Sequence, residues 1–254
     1  MKVQTRFSED ELKRYHRQML IDGWGKEGQA KLRNSTVFIA GAGGLGSPVA
    51  IYLAVAGIGN IIICDFDNLD VTNLNRQILH DHTRIGTNKA ISGKLTIENM
   101  NPYVKVTALQ DKIVPENTDN LVSNADIIVD CMDNFPTRYL LNESAIRKNI
   151  PLVYGSIRGM DGMLSFLKSP ETPCLRCLFP EAPPEEVFPV VGVTPGVIGT
   201  LQALETIKYL TGIGTNIKGK LLFWDGAKME FRIFKASKDP DCPTCGYKKQ
   251  NNLL

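Results

Sequence analysis

A strand, a glycine cluster, a helix and a second strand follow one another within residues 36–67. Residues 37–40 are apolar and favour a strand, and the glycine cluster begins directly after them at Gly41. Apolar residues at helical spacing follow, and residues 61–64 form a second apolar run that ends at Asp65. This order predicts a βαβ unit with the fingerprint of a dinucleotide-binding site.

The glycines in this turn allow the backbone to bend tightly and to approach a phosphate group. Ser47 and Pro48 predict the start of the helix, with Ser47 as the N-cap, and its free N–H groups would attract an anion. Asp65 follows Gly46 by 19 residues, where a carboxylate accepts hydrogen bonds from ribose hydroxyls. An adenine nucleotide is therefore expected, although this unit alone does not choose between ATP and NAD. The predicted contact residues of this unit are Gly41, Gly43, Gly44, Leu45, Gly46 and Asp65.

The charge balance gives no indication of a polyanionic partner. The chain has 254 residues, of which 29 are basic and 27 acidic, so its formal net charge is +2. We therefore expect no nucleic-acid binding. No apolar run is long enough to cross a membrane, and the polar N-terminus lacks the apolar core of a signal peptide. These features predict a cytoplasmic protein without a membrane span.

The remaining pattern predicts a single α/β domain over residues 1–254. Residues 127–131 and 152–155 have the apolar composition of buried parallel strands, whereas the pattern after residue 156 is typical of antiparallel strands. We expect a Rossmann-like open sheet, parallel in its N-terminal part, with antiparallel C-terminal strands. Its predicted parts are an N-terminal helical arm at 8–35, a nucleotide-binding core at 36–155 and a third part at 156–246. Seven prolines within residues 170–195 predict a long functional or mobile loop.

Several polar residues follow the predicted strands at their carboxyl ends, where ligands bind in open α/β sheets. Arg76 and Lys89 are candidate phosphate-binding cations, although each alone is more often a surface charge. Asp133 follows the strand at 127–131 and is a candidate magnesium ligand. An Asx turn that starts the next loop explains Asp133 equally well.

Four of the six cysteines form two C-x-x-C pairs, at Cys174 and Cys177 and at Cys242 and Cys245. Two such pairs predict a tetrahedral zinc site with four thiolate ligands. Four protein ligands leave no position for a catalytic water, so the zinc would be structural. A redox dithiol is the alternative, but it would not explain the second pair.

These motifs together resemble the ubiquitin-activating-enzyme superfamily, and most closely its MoeB/ThiF-type adenylyltransferases. The resemblance extends from about Arg14 to Gly246. It rests on GAGGLGS at 41–47, DFD at 65–67, NLNRQ at 73–77, Lys89, DCMDN at 130–134 and the two cysteine pairs.

The resemblance implies ATP-dependent adenylation of the C-terminal glycine carboxylate of a small ubiquitin-like sulfur carrier that ends in Gly-Gly, with release of pyrophosphate. It implies that the glycine loop cradles the phosphates and that Asp65 holds the ribose, with Asp67 in the same motif. It further implies that Asn73, Arg76 and Lys89 contact phosphates, that Asp133 positions Mg²⁺ and that the protein is a homodimer in which Arg17 reaches the partner's site. The residues to which the resemblance gives these roles are Arg17, Asp65, Asp67, Asn73, Arg76, Lys89 and Asp133. It also makes 156–246 the carrier-binding and zinc-binding part.

One departure from the thiamin-type enzymes concerns the loop after the first cysteine pair. Those enzymes carry a cysteine there for covalent transfer, whereas residues 184–192 contain none. We therefore expect the reaction to stop at the acyl-adenylate and a separate sulfurtransferase or cysteine desulfurase to supply the sulfur. An NAD-dependent oxidoreductase and a non-catalytic zinc-stabilised scaffold that binds a carrier remain alternatives. The sequence does not choose among molybdopterin, thiamin, cysteine and tRNA-thiolation pathways.

Overall fold

One eight-stranded sheet organises the protein, whose computed structural model describes residues 6–184 and 188–246. The strands are β1 (Thr36–Ala40), β2 (Asn60–Cys64), β3 (Lys105–Leu109), β4 (Ile127–Asp130), β5 (Leu152–Arg158), β6 (Asp161–Leu167), β7 (Lys220–Asp225) and β8 (Glu230–Lys235). The helices are α1 (Glu9–Met19), α2 (Gly25–Arg33), α3 (Gly46–Ala56), α4 (Lys89–Met100), α5 (Thr118–Leu121), α6 (Phe135–Lys148), α7 (Leu175–Leu178) and α8 (Val193–Thr211). Two short 3-10 helices lie at Val71–Asn73 and His82–Arg84.

The strand order is β3-β2-β1-β4-β5-β6-β7-β8. Strands β3 to β5 in this order are parallel, and β6, β7 and β8 add antiparallel strands beyond β5. The predicted fold class is therefore confirmed. From β1 the chain first builds outwards to β2 and β3 and then returns to β4 on the other side. The crevice beyond the carboxyl ends of β1 and β4 is thus a topological switch point, where α/β sheets bind ligands.

The parallel strands are buried on both faces. In β1, Val37 and Ile39 point into one apolar cluster, whereas Phe38 and Ala40 point into the other. Helices α2, α3, α4 and α8 contribute to the first cluster, and α6 and α7 contribute to the second. This burial explains why the strands appear as continuous apolar runs rather than as alternating patterns.

The prediction that Ser47 is the N-cap of α3 is wrong. The helix begins at Gly46, and Leu45 is its N-cap. The Ser47 hydroxyl donates a hydrogen bond of 2.7 Å to the Gly43 carbonyl one turn earlier, so it lies inside the first turn. Gly57 ends the helix with a left-handed φ of 89°.

The proline-rich stretch at 170–195 is only partly irregular. It contains α7, and Pro195 lies in the first turn of α8. The Gly159 N–H donates to the Pro189 carbonyl at 2.7 Å, and the Thr194 hydroxyl donates to the Gly159 carbonyl at 2.9 Å. The end of this stretch is therefore packed against the β5–β6 turn, while residues 185–187 lie outside the described residues.

Within the described part of the chain, no helix combines the length and apolar character that a membrane crossing needs. The division into a helical arm, a nucleotide-binding core and a carrier-binding and zinc-binding part stays a prediction.

Candidate nucleotide site and metal centre

The glycine loop after β1 makes a turn that larger residues would block. Gly41 has a left-handed φ of 94°, and a Cβ atom there would lie 2.9 Å from the Cys131 carbonyl oxygen. A Cβ atom on Gly46 would lie only 2.0 Å from the Gly41 carbonyl oxygen. The absence of side chains at these two positions allows the loop to fold over the ends of β1 and β4.

The loop presents backbone donors that fit an anionic group. The N–H groups of Gly43, Gly44 and Leu45 donate no hydrogen bond to any described part of the protein. They lie at the N-terminus of α3, where the helix dipole favours negative charge. Free donors at a helix N-terminus fit a phosphate group.

The Asp65 carboxylate lies against the glycine loop at the end of β2. One oxygen accepts a hydrogen bond of 2.8 Å from the Ala42 N–H, and the other accepts one of 2.9 Å from the Asp67 N–H. Burial raises the pKa of Asp65 from its ordinary value, although these two N–H donors oppose the shift. The predicted ribose-binding carboxylate therefore also holds the loop in place.

Lys89 opens helix α4 and faces back toward the end of β2. The side chain is only 9% exposed, and its Nζ lies 3.1 Å from an Asp67 carboxylate oxygen. Asn88 is the N-cap of α4, and its amide also donates to the Asp65 and Asp67 carbonyls at 2.9 and 3.1 Å. The Lys89 ammonium therefore lies beside the predicted site, and its ion-pair partner Asp67 occupies a place that a phosphate group could take.

Arg76 lies beside the glycine loop. Its Cγ is 3.7 Å from the position that a Cβ atom on Gly44 would occupy, and its Nη1 donates to the Thr72 carbonyl at 3.0 Å. Asn73 is part of the preceding 3-10 helix, and its Oδ1 accepts a hydrogen bond of 3.0 Å from the Asp70 N–H. In this structure the two polar side chains contact their own segment.

The loop after β4 carries Asp133, which is exposed. The Asn134 amide donates a long hydrogen bond of 3.4 Å to the Asp133 carboxylate, and Asn134 also caps α6. Arg138 on α6 fixes this loop, because its guanidinium donates hydrogen bonds to the Met132 carbonyl oxygen. An exposed carboxylate with an amide beside it is a donor set that suits a hard cation such as Mg²⁺.

The structure does not bring Arg17 to the glycine loop of its own chain. Helix α1 begins with a capping box at Ser8 and lies against the C-terminal end of α3. The Gln18 amide donates to the Ala56 carbonyl at 2.7 Å, and Tyr15 lies against Gly57. An eleven-residue helix is about 16 Å long, so the exposed Arg17 lies near the end of α3 that is remote from the loop.

The four paired cysteines converge at one point. Their sulfur atoms all lie within 4.8 Å of one another. The Cys174 sulfur is 3.9 Å from that of Cys177 and 3.7 Å from that of Cys242, and the Cys177 and Cys245 sulfurs are 3.4 Å apart. Zinc–sulfur distances of about 2.3 Å would place tetrahedral ligands about 3.8 Å apart, so these sulfurs fit a metal ion. A hydrogen bond to Cys245 and burial raise the pKa of the Cys174 thiol, and a bound cation would reverse that shift. Cys174 is the N-cap of α7, and Cys177 lies within this short helix.

Sequence reasoning missed two buried residues next to the predicted site. Gln77 is 4% exposed, and its Oε1 accepts no hydrogen bond from the described residues. His80 is 7% exposed and contacts the Ala42 carbonyl. Gln77 follows NLNR directly and His80 comes three residues later, and the available signal was that these two polar residues enclose the apolar pair Ile78 and Leu79.

The model of the ThiF family matches residues 15–244. The chain belongs to the ThiF family. The matched range includes the glycine loop, Arg76, Lys89 and three of the four clustered cysteines, and it ends one residue before Cys245.

Three similar proteins carry names that indicate adenylation. The chain is 40% identical to the sulfur carrier protein adenylyltransferase of Thermus thermophilus, over 95% of this chain and 93% of that protein. It is 41% identical to the SAMP-activating enzyme E1 of Haloferax volcanii, over 93% and 89%. It is 40% identical to the adenylyltransferase and sulfurtransferase MOCS3 of Drosophila sechellia, over 96% of this chain, but it spans only 55% of that protein. This ThiF-family chain is an adenylyltransferase of the MoeB/ThiF type.

Solved structures share the fold. E. coli MccB superposes with a TM-score of 0.84 at 24% identity, over 95% of this chain and 76% of that one. PaaA superposes with a TM-score of 0.80 at 21% identity, over 90% and 84%. None of these matches supports the oxidoreductase or the non-catalytic scaffold.

Proposed function

We propose that this protein uses ATP to adenylate the C-terminal glycine carboxylate of a small ubiquitin-like sulfur carrier, with release of pyrophosphate. The observation that carries the proposal is the convergence of three features at one sheet edge in a ThiF-family fold. The glycine loop, the Asp65–Asp67 motif with Lys89, and the exposed Asp133 follow the adjacent strands β1, β2 and β4. Homologues with nearly the same length are named for this chemistry.

Each side chain at the site has a role that suits this reaction. In the proposal, the N–H groups of Gly43 and Gly44 bind phosphate oxygens, and Asp65 binds the ribose. Arg76 and Lys89 stabilise the charge that develops on the α-phosphate and on the leaving pyrophosphate, and Asn73 assists them. The carrier carboxylate itself attacks the α-phosphate, so the protein supplies no nucleophile.

Asp133 is the proposed magnesium ligand in this site. Mg²⁺ would supply charge neutralisation between the phosphate oxygens, and the protein would orient it through an exposed carboxylate. The cysteine cluster is proposed to hold zinc in a structural role, because its four sulfurs are soft ligands with tetrahedral spacing.

The free cysteines support an acyl-adenylate as the end point. Cys64 and Cys131 are both buried, and burial raises the pKa of Cys64 to about 12 and that of Cys131 well above its ordinary value. Neither thiol is a good nucleophile in this state. We therefore propose that a separate sulfurtransferase or cysteine desulfurase supplies sulfur. A cytoplasmic location and the choice of pathway stay predictions.

ATP–pyrophosphate exchange tests the proposed reaction. The purified protein would be assayed with a panel of carriers that end in Gly-Gly, and each carrier would be matched by a variant without its last glycine. Exchange that depends on the last glycine would support acyl-adenylate formation and identify the carrier. Absence of exchange with every carrier would contradict the proposal, and tight binding of NAD without binding of ATP would restore the oxidoreductase alternative.

The homodimer with Arg17 acting in the partner's site is tested by mixing two inactive variants. Arg17→Ala and Arg76→Ala chains would be unfolded together, refolded and assayed. Random pairing of a twofold dimer should restore about a quarter of the wild-type activity, since each mixed dimer has one intact site. No restoration, when a mixture of wild type and Arg76→Ala remains active, would show that Arg17 does not act across the dimer.

A further inference from the structure

His80 connects the predicted phosphate-binding elements. The ring is buried, its Nε2 lies 2.8 Å from the Ala42 carbonyl oxygen and its Nδ1 lies 2.9 Å from the Ser92 hydroxyl. Ala42 belongs to the glycine loop, and Ser92 lies one turn after Lys89 in α4. The backbone N–H of His80 donates to the Gln77 carbonyl at 3.1 Å, so His80 is also tied to the last residue of the NLNRQ segment.

These contacts fix the protonation of the ring. A carbonyl oxygen can only accept, so Nε2 must carry the hydrogen that Ala42 receives. In the neutral ring Nδ1 then accepts the hydrogen of the Ser92 hydroxyl. Burial lowers the pKa of His80, and Arg84 and Lys89 act in the same direction, whereas the Ala42 contact and Asp81 oppose the shift.

The peptide groups of Ala42 are held from two sides. Its N–H donates to the Asp65 carboxylate at 2.8 Å, and its carbonyl accepts from His80. The neighbouring N–H groups of Gly43 and Gly44 have no partner among the described residues. Fixing Ala42 at both polar atoms therefore aims these free donors before any nucleotide arrives.

We infer that His80, as the neutral Nε2–H tautomer, is a positioning residue that fixes the glycine loop to α4 and sets the affinity for the nucleoside triphosphate. His80 touches neither reacting group and acts through Ala42 and through Ser92. The kinetic consequence rests on the proposed function, whereas the tautomer and the loop contact do not.

Two substitutions separate the two ring nitrogens. In His80→Gln the amide nitrogen reaches the position of Nε2 and can still donate to Ala42. In His80→Asn the shorter amide occupies the position of Nδ1, so it can meet Ser92 but cannot reach Ala42. The two variants are similar in polarity, which makes each a control for the other.

The KM for ATP in pyrophosphate exchange, the Kd for ATP and the Tm would be measured for both variants. We expect His80→Gln to remain within about threefold of wild type and His80→Asn to raise KM and Kd about tenfold, with a smaller change in kcat and similar Tm values. Equal affinity in the two variants, or losses that follow Tm alone, would overturn the inference.

A second measurement does not depend on activity or on the stability of the variants. The ¹H–¹⁵N spectrum of the imidazole in the wild-type protein should show the Nε2–H tautomer at neutral pH, with a resonance that shifts when ATP is added. An Nδ1–H tautomer, an imidazolium or a resonance that ignores bound ATP would overturn the inference. The wild-type protein could show the Nε2–H tautomer but neither bind ATP nor exchange pyrophosphate. The proposed function would then fail, and the predicted effect on nucleotide affinity would be overturned with it. The contact between His80 and Ala42 would still stand.

Discussion

Lys89 is nearly enclosed, yet its ammonium has a half-exposed carboxylate as its partner. The Asp67 side chain is 50% exposed, whereas that of Lys89 is 9% exposed. A phosphate that enters the site can replace Asp67 without burying an unpaired charge, because the carboxylate can turn into water. This arrangement is what the proposed phosphate-binding role of Lys89 requires.

Lys89→Ala should lower the rate of ATP–pyrophosphate exchange by at least about a hundredfold, as loss of a charge-stabilising donor commonly does. Lys94→Ala is the matched control, since Lys94 lies on the same helix and pairs with Glu98 on the surface. Tm values from calorimetry should stay within a few degrees for both variants. Near-normal exchange in Lys89→Ala would remove this residue from the site.

Asp130 makes stability depend on pH. It is fully buried, and burial raises its pKa to about 6, although Arg138 opposes the shift. The folded protein therefore binds more protons than the unfolded chain between pH 3.8, the ordinary pKa of this carboxyl, and about pH 6. The free energy of unfolding from this group must fall as the pH rises through that interval.

Asp130→Asn should remove this dependence. Urea unfolding of the metal-free proteins between about pH 4 and about pH 7 would show a steeper loss of stability with rising pH in wild type than in the variant. In wild type, Asp130 accepts a hydrogen bond of 3.0 Å from the Met132 N–H, and asparagine keeps an oxygen that can accept the same hydrogen bond. Identical slopes would show that Asp130 titrates at an ordinary pKa.

The turn between β1 and α3 leaves little room for side chains at two of its glycines, Gly41 and Gly46. Alanine is usually favoured over glycine inside a helix by about 0.5–1 kcal/mol. At Gly46 this gain is outweighed, since the new Cβ would lie 2.0 Å from the Gly41 carbonyl oxygen. The backbone of the turn would have to move.

Gly46→Ala should therefore lower the free energy of unfolding by about 3 kcal/mol. Gly43→Ala is the control in the same loop, because its Cβ would meet only the Gln77 amide at 3.5 Å, an ordinary contact. Chemical denaturation of both variants measures the difference. Equal stability of the two would mean that the turn relaxes without strain.

At the scale of elements, the sequence predicts what its local patterns encode. Apolar runs predict β1, β2 and β4, and Gly57 predicts the end of α3. The N-cap of α3 is Leu45 rather than the predicted Ser47. A serine at this point of the sequence can cap a helix or donate its hydroxyl hydrogen to a carbonyl one turn earlier, and Ser47 does the latter with Gly43. The contact between His80 and Ala42 joins residues 38 apart, and no periodicity reports such a pair.

At the scale of the whole molecule, the cysteine cluster joins segments on either side of α8, β7 and β8. Cys245→Ser should abolish binding of one metal ion per chain. It should also lower the free energy of unfolding by about 4 kcal/mol, because the metal ion crosslinks the two cysteine pairs and closes the long loop between them. Metal content by mass spectrometry and urea denaturation measure both effects. Cys64→Ser, outside the cluster, should keep its metal, and a Cys245→Ser protein with full metal content would contradict the assignment.

The position of β1 at the centre of the parallel strands has a consequence for synthesis on the ribosome. Its partner β2 emerges soon after it, but its other partner β4 begins about 90 residues later. Even then the glycine loop lacks Gly192, which packs on Arg76, and Pro195, which packs on Gly44. A nascent chain that ends before α8 therefore lacks two residues that pack against this loop and its neighbour Arg76. If the proposed function holds, ATP should stabilise only those chains that already extend into α8.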